Sequence, residues 1–145
     1  MKVVFGCDPN ATQFKLDLME YVKSLGHEVA DLGSDDPIYA NTAIEVAKAV
    51  AAKEYDRGII VCGTGIGVSI AANKVKGIRA AVVTNAFCAK ATREHNDANI
   101  LCMGGRVITE KDAVEFTKII LTTEFEGGRH QRRIDQIAAI EQENQ

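Results

Sequence analysis

Residues Arg57 to Gly67 read RGIIVCGTGIG. Ile59, Ile60, Val61 and Cys62 run on without polar alternation, the pattern of a strand buried on both faces in the middle of a parallel sheet. Three alternate glycines follow, Gly63, Gly65 and Gly67, and then Val68 to Lys74 reads as the start of a helix. Strand, glycine turn and helix in that order form one β–α unit of an open α/β sheet.

Outward from this segment the same alternation continues. Lys2–Cys7, Glu28–Leu32, Arg79–Val83 and Asn99–Met103 read as further strands. Phe14, Leu18, Val22 and Leu25 share one helical face, and Gly26 closes that helix. Ile44, Ala47 and Val50 mark a second helix, expected to start near Asn41 or Thr42 as N-cap. Ala86–Glu94 and Lys111–Leu121 are helices as well, the latter with Val114, Ile119 and Leu121 apolar. A polar segment, Glu126–Arg133, leads into a last helix over about 130–142. Repeated strand–helix alternation predicts a parallel sheet covered by helices on both faces, and residues 1–145 read as one domain with no linker or repeat. In such sheets ligands bind beyond the carboxyl ends of the strands. Asp8, Cys62–Gly67, Thr84–Phe87 and Gly104–Arg106 all follow strands, so the site is sought among them.

Composition narrows the function classes. A net charge of −3 provides no basic field for nucleic acid or an anionic membrane. An anionic ligand must therefore meet a local cluster of cations. Without Trp there is little of an aromatic platform on which bases could stack. No stretch is apolar for long enough to span a bilayer, and MKVVFGCD does not read as a signal peptide, which together point to the cytoplasm. Cys7, Cys62, Cys88 and Cys102 form no CxxC pair and no zinc spacing. They are expected to be reduced thiols, and the plainest reading of each is a small buried hydrophobe.

Cys62 invites more. A thiol at a strand end beside a glycine turn and a helix start meets backbone N–H groups, which suit a thiolate and any other negative charge. A base next to a row of N–H donors fits removal of a proton alpha to a carbonyl, the donors holding the enediolate oxygen. That chemistry calls for no metal and no redox cofactor. A dinucleotide fingerprint is the rival reading of the glycines. The spacing is G-x-G-x-G, it follows the third strand, and Thr84 and Asn85 stand where an acidic ribose ligand is needed. His95, within Arg93-Glu94-His95-Asn96-Asp97, lies at a helix end among polar residues and has the pKa range to protonate a sugar ring oxygen; the alternative is a solvated surface histidine. Arg129 and Arg133 share a helical face by their i, i+4 spacing and suit a phosphate, with Arg106 as a third cation; the alternative is a solvated basic face. Asp8 serves either sugar hydroxyls or the cap of the next helix.

Together the segments FGCD (Phe5–Asp8), VCGTGIG (Val61–Gly67), IAANKVKGIRA (Ile70–Ala80), EHNDAN (Glu94–Asn99), MGGRV (Met103–Val107) and EGGRHQRR (Glu126–Arg133) resemble the ribose-5-phosphate isomerase B / galactose-6-phosphate isomerase family. The resemblance covers nearly the whole chain. It implies a three-layer α/β/α, Rossmann-like fold with a five-stranded parallel sheet. It also implies a homodimer or dimer of dimers whose sites are shared between subunits, the C-terminal helix packing on a partner. It implies aldose–ketose isomerisation of a phosphorylated sugar through a cis-enediolate, ribose 5-phosphate to ribulose 5-phosphate first. Cys62 then inherits the role of base, His95 that of ring-opening acid and Asn96 a substrate contact. Gly63, Gly65, Ile66 and Gly67 supply the enediolate hole that Thr64 steadies. Arg106, Arg129 and Arg133 inherit phosphate or substrate contacts, and Asp8 a contact to sugar hydroxyls.

Two positions depart from the family's ribose enzymes. Pro9 stands where those usually have a histidine, and Asp36 where they have a tyrosine. Both are expected to border the sugar or phosphate. The alternatives are the same chemistry on galactose 6-phosphate, allose 6-phosphate or a tetrose phosphate such as erythrulose 4-phosphate, and a non-catalytic family subunit. The triplet Tyr39-Ala40-Asn41 is reminiscent of the tetrose relatives. A tetrose phosphate closes no such furanose ring and needs no ring opener, so His95 favours five or six carbons, and Cys62 with His95 argues against the non-catalytic subunit.

Overall fold

The computed structural model describes residues 1–33 and 35–144. Five strands, β1 (Lys2–Cys7), β2 (Glu28–Asp31), β3 (Arg57–Cys62), β4 (Ala80–Val82) and β5 (Ile100–Gly104), form one sheet in the order β2-β1-β3-β5-β4. Every pairing is parallel. Six helices cover it: α1 (Thr12–Ser24), α2 (Tyr39–Ala51), α3 (Ile66–Ala72), α4 (Ala86–Asn96), α5 (Glu110–Thr122) and α6 (Arg129–Glu143). This is the three-layer α/β/α arrangement that the alternation predicts.

β3 is the central strand, and its side chains divide between the two faces as the two-residue period requires. Ile59 and Val61 meet Val3, Phe5, Leu101 and Met103, under Leu18 and Val22 of α1, Ala89 of α4 and Phe116 and Ile120 of α5. Ile60 and Cys62 meet Val4, Ile100 and Cys102, under Val46 and Val50 of α2 and Val68 and Ala72 of α3. Ile59 and Ile60 are fully buried, each contributing roughly 1.5–3 kcal/mol of apolar transfer.

Glycines set how closely α2 sits on the sheet. A Cβ on Gly58 would lie 2.9 Å from Val46 Cγ1 and 3.1 Å from Ile100 Cγ1, and one on Gly6 would lie 2.7 Å from Thr42 Cγ2. α2 therefore rests on bare backbone at both strands. On the other face Lys15, only 1% exposed, bonds Asp31 Oδ1 at 2.7 Å, and the same oxygen accepts the Gly33 N–H at 2.8 Å. This ties α1 to the end of β2.

Several boundaries differ from those read in the sequence. α2 begins at Tyr39, not near Asn41 or Thr42, and its N-cap position, Ile38, offers no side-chain cap. Asp36 does the anchoring from outside the helix: its carboxylate accepts the Ile38 N–H at 2.8 Å and the Asn41 Nδ2–H at 3.0 Å. Thr42 is free to turn inward over Gly6 and is buried. α3 starts two residues early, because Gly65 at φ +81° turns the chain straight into it. It also ends early, at Ala72, where Asn73 takes over with side-chain bonds to the backbone of Ala80. Thr109 and Asp112 form a reciprocal capping box that starts α5 at Glu110. Among the described residues no helix is long and apolar enough to cross a membrane.

Gly58→Ala is expected to destabilise the chain by about 1–3 kcal/mol through overpacking against Val46 and Val50. Denaturant unfolding measures it; a change within a few tenths of a kcal/mol would mean that α2 does not rest on the sheet as described.

Candidate functional site

The strand order reverses between β1 and β3, so a crevice opens at their carboxyl ends. A cleft of about 130 Å³ lies there, lined by Asp8, Asn10, Ala11, Phe14, Cys62, Gly63, Gly105 and Arg106. Cys62 is the last residue of β3 and is only 7% exposed, at the cleft wall. Its Sγ accepts the Gly65 N–H at 3.1 Å. The turn from Gly63 to Thr64 brings this amide back over the sulfur, and the left-handed Gly65 then leads the chain into α3.

The turn has little freedom. A Cβ on Gly65 would come within 2.9 Å of the Met103 backbone, and one on Gly104 within 2.5 Å of the Thr64 backbone. The Gly105 and Arg106 amides donate to the carbonyls of Cys62 and Gly63 at 2.9 and 3.0 Å. Thr64 Oγ1 accepts the Ile66 N–H at 3.2 Å within the turn. Amides in the first turn of α3 have no acceptor within the helix, and Ile66 and Gly67 belong to that turn. The Arg106 side chain lies along Gly63, with its Cδ 3.6 Å from where a Cβ would stand.

Asp8 reconciles its two readings. One carboxylate oxygen accepts the Asn10 N–H at 3.0 Å and caps the short 3-10 turn Pro9–Ala11, while the residue also lines the Cys62 cleft. Asp36 does not join it: that carboxylate, anchored in its own loop, borders a separate hollow lined also by Asp35, Asn41, Glu45 and Lys48.

The histidine group stands elsewhere. His95 lies in the last turn of α4, which leads back to the start of β5, and the Asn99 carbonyl there accepts the Gly58 N–H at 3.0 Å. From Gly58 to Cys62 is about 13 Å along β3. His95 and Cys62 thus occupy opposite ends of the sheet, and one pentose phosphate does not span them within a single chain. Arg129 and Arg133 sit on α6 at the His95 end; of the three expected phosphate ligands only Arg106 stands beside Cys62. Asn96 closes α4, and its carbonyl accepts the Arg79 Nε–H at 3.1 Å. Buried Arg93 holds this corner, bonding Asp97, the Ala98 carbonyl and the Thr123 carbonyl.

His95 is neither bare nor alone. Its ring stacks on that of His130, with centroids 4.4 Å apart and planes 16° from parallel. Sequence reasoning missed His130 because 35 positions separate the two, and no spacing rule reaches that far; it assigned the EGGRHQRR segment to its arginines. It also missed Tyr39, whose phenol packs so closely on Gly67 that a Cβ there would lie 2.4 Å from the oxygen. The nearest signal was the Tyr-Ala-Asn triplet. His95, Glu126 and His130 bring ligand-type atoms within 4.8 Å of one another. The two rings are nearly parallel, so their in-plane lone pairs do not converge on one ion.

The other cysteines are mostly as plain as expected. Cys7 and Cys102 are buried, and burial pushes both thiols up, away from reactivity. Cys88 departs: it is exposed on the first turn of α4.

Residues 3–137 match the family described as Ribose/Galactose Isomerase. Ribose-5-phosphate isomerase B of Escherichia coli is 44% identical over 97% of both chains. The structure of ribose-5-phosphate isomerase B from Clostridium thermocellum superposes with a TM-score of 0.96 at 44% identity, covering 100% of each chain. The Mycoplasma genitalium ribose-5-phosphate isomerase B structure, with bound ribulose 5-phosphate, gives 0.93 at 39% identity over 98% of this chain and 97% of that one. With matches of this extent, the chain belongs to the ribose/galactose isomerase family.

Proposed function

We propose that the chain, as one isomerase domain over residues 1–145, interconverts the aldose and ketose forms of a phosphorylated sugar, ribose 5-phosphate and ribulose 5-phosphate first. The observation that carries this reading is the Cys62 sulfur, held by the Gly65 amide in a cleft shared with Asp8 and Arg106. The bound ribulose 5-phosphate of the Mycoplasma genitalium relative supports the choice of sugar.

The Cys62 thiolate takes the C2 proton of the open-chain aldose. The C2–H electron pair becomes the C1–C2 double bond, and the carbonyl pair moves onto O1, where the amides of Gly63, Gly65, Ile66 and Gly67 meet the charge. Cys62 then returns the proton to C1, and the O2 hydrogen passes to O1, so that C2–O2 becomes the ketose carbonyl and O1 a hydroxyl. A furanose must open first: His95 gives a proton to the ring oxygen as the C1–O bond breaks, and Asp8 accepts the O1 hydrogen. Thr64 keeps the amides aimed. Asn96 contacts the sugar, and Arg106, Arg129 and Arg133 share the phosphate.

The distance between the two ends of β3 supports a site built from two chains. In a twofold homodimer, or in a dimer of dimers built from it, Cys62 of one subunit meets the partner's His95, Arg129 and Arg133, and the reverse. Ile137 and Ile140 of α6, 51% and 47% exposed, supply an apolar face for that packing. A free thiol as base favours a reducing compartment, which supports the cytoplasm as its location.

Cys62→Ala is expected to abolish exchange of the C2 proton of ribose 5-phosphate while binding of ribulose 5-phosphate survives; NMR in heavy water reads the first and calorimetry the second. Exchange at the wild-type rate would remove Cys62 from its role. A coupled assay over ribose, galactose, allose and erythrulose phosphates ranks the substrates. Co-refolding equal amounts of Cys62→Ala and His95→Asn chains, each inactive alone on ribose 5-phosphate, is expected to restore about a quarter of wild-type activity on that sugar. Half the dimers are then mixed, with one intact site of two. A mixture as inactive as its components would exclude a shared site.

A further inference from the structure

His130 is 3% exposed, although it lies in the first turn of a helix whose neighbouring residues face solvent. Three contacts hold its ring. On one edge Arg133 Nη1 stands 3.4 Å from Nδ1, and on the other Nε2 stands 3.4 Å from Glu126 Oε2. An arginine only donates, so Nδ1 accepts and Nε2 carries the hydrogen, which lies near the Glu126 carboxylate without forming a hydrogen bond to it. The third contact is the face laid on His95.

The rest of the corner is arranged to keep this clamp in place. The Glu126 amide donates to the Glu94 carbonyl at 3.1 Å, tying the chain before α6 to the end of α4. Gly127 and Gly128, both at positive φ, turn the chain into α6 at once. Loss of solvent around the His130 ring, with His95 and Arg129 beside it, lowers its pKa from the ordinary imidazole value; Glu126 opposes this. The ring is therefore biased toward its uncharged form. The charged groups around the pair are Arg93 and Glu94 on α4, Asp97 at its C-cap, Arg129 and Arg133 on α6, and Glu126 ahead of α6.

We infer that His130 is a positioning residue for ring opening: buried, and held at one edge by Arg133, it fixes the orientation of the His95 imidazole by stacking on it. The inference rests on the proposed role of His95 as acid. It separates two parts of the reaction. Opening the furanose needs an aligned His95, whereas removing a proton from C1 of the ketose needs only Cys62 and the turn amides. Ribulose 5-phosphate has its 5-hydroxyl esterified, so it closes no furanose ring and bypasses the acid.

The test uses the full chain and both sugars. In His130→Ala, conversion of ribose 5-phosphate is expected to lose at least about tenfold in kcat. Its KM, and the exchange of the C1 hydrogen of ribulose 5-phosphate in heavy water, are expected to stay within about twofold. His130→Phe, which keeps a flat face, should recover most of the lost turnover; His130→Gln, which keeps polar edges without the face, should not. The Phe and Gln pair carries the comparison if the alanine variant does not fold. Unchanged ribose 5-phosphate turnover in His130→Ala, equal loss of both reactions, or no difference between Phe and Gln overturns the inference. His95→Asn is the control. If it shows the split and His130→Ala does not, only His130 is misassigned; if His95→Asn shows no split, the acid itself is.

Discussion

Two backbone turns pressed together without side chains govern the chemistry of this fold. Gly104 at the end of β5 meets the main chain of Thr64, and Gly65 meets the main chain of Met103. Neither contact leaves room for a methyl group. Because adjacent strands deliver both turns to the same height, the carbonyls of Cys62 and Gly63 can accept the Gly105 and Arg106 amides, and the chain after β3 has a single path. On that path the Gly65 amide falls on the Cys62 sulfur. The rest of the molecule serves this juxtaposition: the buried faces of β3 hold its height, and the bare backbone at Gly6 and Gly58 lets α2 close over it.

Much of this is legible in the sequence. RGIIVC is apolar throughout because the strand is covered on both sides, and β3 has the bounds that the run predicts. The glycine turn after it and Asp8 after β1 lie where a parallel sheet exposes its ends, and both reach one cleft. Helix edges are less legible, because competing caps decide them. Asn41 has the chemistry of an N-cap, yet Asp36 already holds the loop, so α2 starts earlier. Val68 looks like the first helical residue, yet the left-handed Gly65 starts α3 before it.

The larger gap concerns which end of the sheet each residue occupies. Motif reading gathers Cys62, His95 and the arginines into one set, because their residue types suit one reaction. The fold separates them: α4 carries the chain back to the amino end, and His95 travels with it. Nor does local pattern predict the His95–His130 stack, which depends on how the chain between α5 and α6 is pinned by Arg93 and Glu94. Pairings across such distances are set by tertiary packing alone.

That separation bears on how such a chain can diversify. Among the described residues Cys62 and His95 stand at opposite ends of β3, and groups so far apart respond to substitution independently. After gene duplication, one copy is free to erode at its cysteine end and the other at its histidine end. On the proposed two-chain site the two remain jointly competent as long as they assemble, and labour divided between unlike subunits is open to this architecture without any change of fold.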